Sequence, residues 1–362
     1  ENFSNAFTFL GKDIQLDALN IILPVGISFY TFQTLSYSID VYRKRINPTT
    51  DYIAFSAFVS FFPQLVAGPI ERASNLLPQF LNKRHFNYDQ ATDGLRQILW
   101  GLFKKIVIAN NCAEYANNIF DNSTSYSGST LFIGALFFTF QIYGDFSGYS
   151  DIAIGTSRLF GFNLMQNFAF PYFSKSVSEF WRRWHISLST WFRDYLYIPI
   201  GGSRGGLLMK TRNVLIVFLI SGLWHGANWT FIFWGLLNAL LILPAIILKK
   251  KASNKVITSG NILQGFKEFG LMLSTFLLTV LMWVMFRAEN INHAINYYKT
   301  IFSRSLFNFP IFQKDDSVKT IILLLLFFIT IEWLGRDNKY ALESLRYHTK
   351  RYIRWSFYIL II

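Results

Sequence analysis

The chain is dominated by long stretches that contain no Asp, Glu, Lys or Arg. They cover residues 18–39, 52–70, 122–144, 213–248 and 269–286, with a further stretch at 320–335 that is interrupted only by Glu332. A helix that crosses a bilayer needs about 20 mostly apolar residues, so the pattern predicts an all-α, polytopic membrane protein. Composition agrees, because aromatic residues make up 19% of the chain and charged residues only 15%. A soluble fold could not bury so many rings and still present a polar surface.

The longest stretch, residues 213–248, exceeds the length of one spanning helix. At about 1.5 Å per residue it would measure about 54 Å, whereas the hydrocarbon core is about 30 Å thick. The expected break lies at 221–228, where glycines flank His225, the only titratable side chain in the stretch. Irregular backbone at membrane depth is tolerated only beside protein or a water-filled cavity. We therefore expect a site around His225, near the membrane midplane.

Two segments are not predicted to be simple spans. Residues 95–110 are apolar but carry Lys104 and Lys105 at their centre, which favours an amphipathic or tilted element. Residues 145–212 mix charged groups with a high density of aromatic residues, which indicates interfacial or re-entrant helices, or an internal polar cavity. The sequence shows no internal repeat and no low-complexity linker, so we expect residues 1–362 to form a single integrated membrane domain.

The charge distribution predicts an orientation. The net charge of +13 suits an anionic membrane surface, an anionic cofactor or nucleic acid, and the apolar background favours the membrane and argues against nucleic acid. Basic residues concentrate in 249–268 and 336–354, which the positive-inside rule places in the cytoplasm, with 287–319 outside. The chain begins at Glu1 without a signal peptide and stops at Ile362 inside an uncharged run. We expect a polytopic protein truncated at both ends.

Two histidines are candidate catalytic residues. A neutral imidazole can accept a proton near physiological pH, which suits a general base acting on a hydroxyl. His225 is the stronger candidate, because ionisable groups at membrane depth are costly and tend to be functional; the alternative is a packing histidine. His185 lies in a predicted interfacial helix at 181–189, where a histidine that merely faces lipid headgroups is the favoured interpretation from position alone.

Three arginines near His185 are candidate ligands for an anionic donor. The guanidinium groups of Arg182, Arg183 and Arg193 match phosphate oxygens in geometry, although contact with anionic lipid headgroups is the simpler interpretation. Asp145 and Asp151 are six residues apart, so we expect them to cap helices or to pair with arginine rather than act together. The single cysteine and the spacing of the five histidines give no metal motif.

Six segments in order resemble the membrane-bound O-acyltransferase (MBOAT) family, and within it the bacterial alginate O-acetyltransferase membrane subunits and their peptidoglycan and cellulose relatives. They are PVGISFYTFQ (24–33), FFPQLVAGPI (61–70), DFSGYSD (145–151), FWRRWHISLS (180–189), WFRDYLYIP (191–199) and GLWHGA (222–227). Each segment alone is weakly specific, but six in the same order are highly specific. The resemblance places the family core at about residues 20–335.

This resemblance implies a multi-helix fold with re-entrant and interfacial helices around a central tunnel. The near-invariant histidine of the family falls on His225, and its second characteristic polar position falls on His185. The family transfers an acyl group from a thioester, here acetyl-CoA or another acyl thioester, to a hydroxyl. Members of this branch reside in the bacterial cytoplasmic (inner) membrane and work with a periplasmic or membrane-anchored acetyltransferase partner that completes transfer to a polysaccharide. The resemblance implies no metal and no tightly bound cofactor.

Three alternatives remain open from the sequence. A transporter or flippase for an acyl or lipid-linked intermediate also has polar residues and broken helices within its spans. A scaffold that only recruits a catalytic partner would not need His225. Within the enzyme class, a D-alanyl transferase of the teichoic-acid pathway shares the family fold, although the segments around His185 and His225 favour the acetyl branch.

Overall fold

The computed structural model describes residues 26–248, 262–312 and 315–361. These residues form helices joined by turns, without a strand in any of the three ranges. In chain order the α-helices are α1 (Ile27–Tyr42), α2 (Tyr52–Val59), α3 (Ala73–Leu81), α4 (Tyr88–Leu102), α5 (Asn110–Asp121), α6 (Gly128–Leu159), α7 (Val177–Arg183), α8 (Ile186–Phe192), α9 (Gly206–His225), α10 (Trp229–Ile247), α11 (Ile262–Arg287), α12 (Ile291–Ile301), α13 (Asp315–Leu334), α14 (Leu345–His348) and α15 (Arg351–Ile361).

Four of these helices are long and apolar enough to cross a membrane: α9, α10, and the portions of α11 and α13 at Leu263–Arg287 and Ser317–Leu334. They contain the predicted spans 213–248, 269–286 and most of 320–335. The all-α, polytopic membrane class is therefore confirmed. The 213–248 stretch is two helices, as its length required, and the interruption falls within the predicted segment 221–228.

The prediction of a span at 52–70 is wrong. Only Tyr52–Val59 is helical, begun by Asp51, whose side chain accepts a hydrogen bond from the backbone N–H of Ala54. The helix stops before Pro63 and the Gly68-Pro69 pair, which cannot continue a regular helix without losing hydrogen bonds. Of the predicted span 18–39, residues 18–25 lie outside the described ranges, and α1 begins at Ile27.

The segment 95–110, predicted to be amphipathic or tilted, belongs to one continuous helical run. Helix α4 passes through a π-helical turn at Phe103–Ala109 directly into α5. This run packs along α6 at very short range, since a Cβ atom added to Gly101 would lie 2.7 Å from the carbonyl oxygen of Gly148. Small residues allow such close approach of backbones. Lys104 points into the protein and Lys105 outward.

Helix α6 extends well past the predicted span 122–144. Its 32 residues measure about 48 Å, and they include both Asp145 and Asp151. The expectation that these carboxylates cap helices or pair with arginine is wrong. Both lie inside α6, and each pairs with a lysine of the adjacent run, Asp145 with Lys105 and Asp151 with Lys104.

Residues 160–205 contain short elements rather than spans, as predicted, but the ends of the predicted segment 145–212 do not: residues 145–159 belong to the long helix α6 and residues 206–212 to α9. Helices α7 and α8 are seven residues each. They lie between α6 and the α9–α10 hairpin, where Trp184 packs against Trp283 of α11 with ring centroids 5.0 Å apart. The largest cluster of buried apolar side chains continues from this point through α4, α5, α6, α11, α12 and α13. This packing joins the helices that neighbour both candidate histidines, since Trp184 precedes His185 and Trp234 contacts His225.

Candidate active site

His185 lies at a sharp change of direction between α7 and α8. Its backbone adopts the left-handed conformation, with φ of 45°, which is rare for a residue other than glycine and carries a local cost. The turn is held by backbone hydrogen bonds from the N–H of Ile186 to the carbonyl of Asn167, and from the N–H of Ala169 to the carbonyl of Arg183. The strained conformation directs the imidazole into the interior, where His185 is only 3% exposed.

The amide of Asn167 organises the imidazole of His185. Oδ1 of Asn167 lies 3.1 Å from Nδ1 of His185. The same oxygen accepts hydrogen bonds from the hydroxyl of Ser187 at 2.8 Å and from the backbone N–H of Ser187 at 3.3 Å. The amide nitrogen of Asn167 donates to Oγ of Ser150 on α6. Within the described part of the chain, Nε2 of His185 is buried without a hydrogen-bond partner. A buried polar atom of this kind calls for an explanation, such as a catalytic role.

His225 is the last residue of α9, and aromatic rings surround it. Ring centroids of Trp224, Trp234 and Phe286 lie 4.7, 5.3 and 5.1 Å from that of His225. His225 as a whole is half-buried. Helix α10 begins at Trp229, where Asn228 caps it by accepting a hydrogen bond from the N–H of Thr230.

The placement of His225 near the membrane midplane stays a prediction. The turn that carries it joins two helices that are each long enough to span, and its neighbour Phe286 lies in the last turn of α11. The side chain of Asn228 also donates to the carbonyl of Glu289, just beyond α11. His225 therefore lies beside the ends of three helices that are long enough to span, and on the predicted orientation these ends face away from the cytoplasm.

The structure brings both histidines into contact with one indole. The ring centroid of Trp224 lies 4.7 Å from that of His225 and 6.5 Å from that of His185. Phe146 of α6 packs edge-on against His185 at 4.7 Å. Three separate helices, α6, α8 and α9, thus meet around the pair, although the two histidines are 40 residues apart in the sequence.

The three candidate arginines occupy different environments. Arg183 forms an ion pair with Glu179 at 2.7 Å and donates to the carbonyl of Ala169. Arg193 pairs with Asp194 at 2.7 Å. Arg182 is exposed, and among the described residues no carboxylate pairs with it. Arg182 is thus the member of the trio whose charge is available to a ligand, while Arg183 and Arg193 also serve to hold the local structure.

Asp194 is the centre of a charged cluster beside this site. Its carboxylate pairs with Arg72 at 2.8 Å as well as with Arg193. Partial burial acts to raise its pKa, but the hydrogen bonds from Arg193 and Arg72 outweigh burial, so the pKa of Asp194 is lowered. The same hydrogen bond raises the pKa of Arg193. Since Arg72 precedes α3, this cluster ties the loop after α8 to the N-terminal helices.

A second polar network lies on the other face of α6. Lys104, 3% exposed, pairs with Asp151 at 2.5 Å and donates to the hydroxyl of Ser147 at 2.9 Å. The buried carboxylate of Glu332 accepts hydrogen bonds from the indole of Trp100 at 2.9 Å and the phenol of Tyr143 at 2.6 Å. Buried charges persist when they are paired and hydrogen-bonded. The network fixes α6 against α4 and α13, and so supports the wall that carries His185.

Sequence inspection missed Asn167, which precedes His185 by 18 residues. Asn167 lies in an irregular segment between α6 and α7, where no periodic pattern marks a functional side chain. Trp224 was visible only as a neighbour of His225. The contact of Trp224 with both histidines depends on the packing of α9 against α8, which local sequence does not encode.

The chain belongs to the membrane-bound O-acyltransferase family, whose model matches residues 43–284. It is 42% identical over 323 residues to the "Probable alginate O-acetylase AlgI" of Azotobacter vinelandii, covering 89% of this chain and 62% of that protein. It is 39% identical over 323 residues to the peptidoglycan O-acetyltransferase of Helicobacter pylori, covering 82% and 60%. It is 26% identical over 236 residues to the teichoic acid D-alanyltransferase of Bacillus subtilis, covering 62% and 59%.

These comparisons confirm the family resemblance carried by the six segments, five of which fall within the matched residues. The chain spans about three fifths of the length of these relatives. The higher identity to the two O-acetyltransferases than to the D-alanyltransferase agrees with the acetyl branch expected from the segments around the histidines.

Proposed function

We propose that the protein is the membrane component of a polysaccharide O-acetylation system. In this proposal it moves an acetyl group from a cytoplasmic thioester, acetyl-CoA or another acyl thioester, towards hydroxyls of a polysaccharide outside the bacterial cytoplasmic membrane. A periplasmic or membrane-anchored acetyltransferase completes the transfer. The observation that carries the proposal is the pair of histidines that both contact Trp224, one with a buried Nε2 that is unpartnered among the described residues and one half-buried at the end of α9.

The proposed chemistry is general-base catalysis by His225. Its imidazole takes the proton of an acceptor hydroxyl, and the hydroxyl oxygen attacks the thioester carbonyl. The tetrahedral intermediate collapses with cleavage of the C–S bond, the ester is formed, and the leaving thiolate takes up a proton. His185 orients the donor or assists this proton transfer through Nε2. General-base assistance typically contributes about 10²–10⁴-fold to a rate.

The placement of the two histidines supports a division of labour. In this proposal the donor thioester lies beside His185, whose Nε2 is buried and unpartnered among the described residues. The acceptor approaches His225, which lies beside the ends of three helices that are long enough to span. Arg182, with its unpaired charge, is the arginine best placed to contact a phosphate-bearing donor, and Arg183 and Arg193 would contribute positive potential from their paired positions.

The identity pattern favours acetyl over D-alanyl transfer. The relatives at 42% and 39% identity carry names of O-acetylation enzymes, and the relative at 26% carries the name of a D-alanyltransferase. A transporter without chemistry would not require an imidazole whose Nδ1 is engaged and whose Nε2 is free. Turnover of a soluble acyl thioester by the purified full-length protein separates the enzyme from both the transporter and the scaffold.

The test is polysaccharide O-acetylation in cells that carry the full-length protein as wild type, His225→Ala or His85→Ala. His85 is exposed and remote from the site, so its variant is a matched control. We expect His225→Ala to abolish detectable acetyl ester, a loss of at least 10²-fold, at equal protein level in the membrane, and His85→Ala to behave as wild type. Acetylation by His225→Ala within tenfold of wild type would remove His225 from the chemistry.

A further inference from the structure

A basic cavity lies between α4 and the C-terminal helices α14 and α15. Its volume is about 590 Å³. Four arginines, Arg96, Arg346, Arg351 and Arg354, line it together with aromatic side chains and with Leu95 and Leu99. None of these residues belongs to the candidate active site.

The main evidence that this cavity binds a ligand is that two buried hydrogen-bond donors in its lining have no acceptor among the described residues. The side chain of Arg96 is only 10% exposed, yet its Nη1 is buried without a partner among the described residues. The hydroxyl of Tyr358, on the opposite wall, is likewise buried and unpartnered there. An unsatisfied buried donor costs free energy, and a charged one such as Arg96 costs more, so the guanidinium of Arg96 and the hydroxyl of Tyr358 in one cavity lining indicate a missing acceptor.

The charge balance of the cavity favours an anion. Arg346 pairs with Asp89 at 2.6 Å, and Arg96 lies 3.5 Å from Asp93. Asp93 is shared, because it also pairs with Arg158 at 2.5 Å and accepts a hydrogen bond from Tyr340. Its charge therefore compensates Arg96 only in part.

The remaining two arginines add uncompensated charge. Among the residues that the structure describes, Arg354 donates only to the backbone carbonyl of Arg346. Arg351 is exposed and makes no ion pair within the described ranges. Guanidinium groups converging on one point are the usual means of holding a phosphate group.

The apolar part of the lining indicates that the anion is amphiphilic. Leu95 and Trp355 are each 55% exposed beside the arginines, and α15 presents further exposed apolar side chains at Ile353 and Leu360. Tryptophan next to arginine is typical of the interface between headgroups and acyl chains. The loop 336–354 is also the segment predicted to face the cytoplasm, where anionic lipids and basic pockets between helices meet.

We propose that this cavity binds the phosphate of an anionic phospholipid, with Arg96 and Tyr358 donating to the phosphate oxygens and the glycerol end lying along Leu95 and Leu99. The site is independent of the transfer chemistry, so a failed test of one proposal does not contradict the other. The bound phosphate would neutralise positive charge between α4 and the C-terminal helices and so stabilise their contact.

The experiment measures lipid binding to the purified, delipidated full-length protein by native mass spectrometry. Dioctanoyl phosphatidylglycerol is compared with dioctanoyl phosphatidylcholine, with inorganic phosphate as a separate competitor. We expect wild type to retain phosphatidylglycerol at least tenfold more tightly than phosphatidylcholine. Arg96→Gln should reduce that preference about tenfold, and Arg351→Gln, an exposed change that does not endanger folding, should reduce it at least threefold. Arg204→Gln, an exposed arginine outside the cavity, is the matched control and should match wild type.

Two results would overturn the proposal. One is equal retention of the two lipids by wild type, or a preference that Arg96→Gln and Arg351→Gln leave at the level of Arg204→Gln. The other is displacement of phosphatidylglycerol by millimolar inorganic phosphate, which would show a site for a soluble phosphate compound instead. Thermal unfolding of each variant identifies any loss of binding that comes from misfolding.

Discussion

The amide oxygen of Asn167 accepts a hydrogen bond from Nδ1 of His185 at 3.1 Å, and this contact sets the tautomer of the imidazole. The backbone N–H of Ser187 can only donate, and it points at the same atom of Asn167, so that atom must be the oxygen. An oxygen that accepts from Nδ1 requires the proton on Nδ1. The neutral ring of His185 therefore presents the lone pair of Nε2 to the interior.

The first prediction concerns this contact. Asn167→Leu removes the acceptor, releases the ring to its other tautomer, and should lower the acyl-transfer rate of the full-length protein by about 10- to 100-fold, which reaches only the low end of the about 10²–10⁴-fold that acid–base assistance contributes. Asn167→Asp keeps an acceptor and should recover part of the rate. Its negative charge favours the imidazolium, so the acidic limb of the pH–rate profile should move to higher pH.

A purely structural role for Asn167 gives a different pattern. In that case Asn167→Leu would lower the thermal midpoint and the amount of folded protein while the pH–rate profile of what remains stayed unchanged. Wild-type turnover by Asn167→Leu at equal folded protein would contradict the assignment of the tautomer to catalysis.

The second prediction compares two adjacent lysines. Lys104 is 3% exposed and pairs with the 13%-exposed Asp151, whereas Lys105 and Asp145 are each about half exposed. Lys104→Met leaves a buried carboxylate unpaired and should destabilise the protein by about 3–5 kcal/mol. Lys105→Met should cost about 0–1 kcal/mol. The measurement is thermal or denaturant unfolding of the detergent-solubilised protein.

The pairing can be checked by a double variant. Lys104→Met combined with Asp151→Asn removes both charges and should recover most of the lost stability, because the penalty comes from the unpaired carboxylate. Equal losses from Lys104→Met and Lys105→Met would be incompatible with a buried ion pair at this place.

The third prediction concerns the hairpin that carries His225. A Cβ atom at Gly222 would lie 2.3 Å from the carbonyl oxygen of Phe231 on α10, so Gly222→Ala must push α9 and α10 apart. We expect a loss of about 1–3 kcal/mol and a fall in activity, because the turn moves with the helices. Gly270→Ala, also inside a spanning helix but with open space around its Cβ position, is the matched control. Stability of Gly222→Ala equal to that of Gly270→Ala would show that the two helices are packed less closely.

The fourth prediction is a pH dependence at the charged cluster of Asp194. Because the pKa of Asp194 is lowered from its ordinary value of 3.8, the ionised form stabilises the fold above that pH. The stabilisation is lost as the pH falls further, through the folded-state pKa. Wild type should therefore unfold at a higher temperature than Asp194→Asn at pH 7, and the difference should shrink below about pH 4. A difference that stays constant down to pH 3 would rule out the carboxylate charge as its source. Asp337→Asn, an exposed change away from the cluster, serves as the control.

Much of the architecture was predictable because membrane insertion depends on local properties. The absence of charge over about 20 residues marked α9, α10, α11 and α13, and the excess length of 213–248 required a break close to where Gly226 ends α9. The wrong prediction of a span at 52–70 has the same origin, because hydrophobicity alone does not account for Pro63 and Pro69. These prolines limit α2 to eight residues.

The sequence by itself determined the all-α membrane class, the family, and the two histidines as candidates, because each of these depends on residue type and order within a short window. Only the tertiary structure decided which groups meet. The pairing of Lys104 with Asp151, the contact of Asn167 with His185, and the contact of Trp224 with His185 all join residues that are distant in sequence or on different helices. Such contacts follow from how the helices pack. Helix packing depends on the shape and charge of many side chains at once, so it cannot be predicted from any single stretch of sequence.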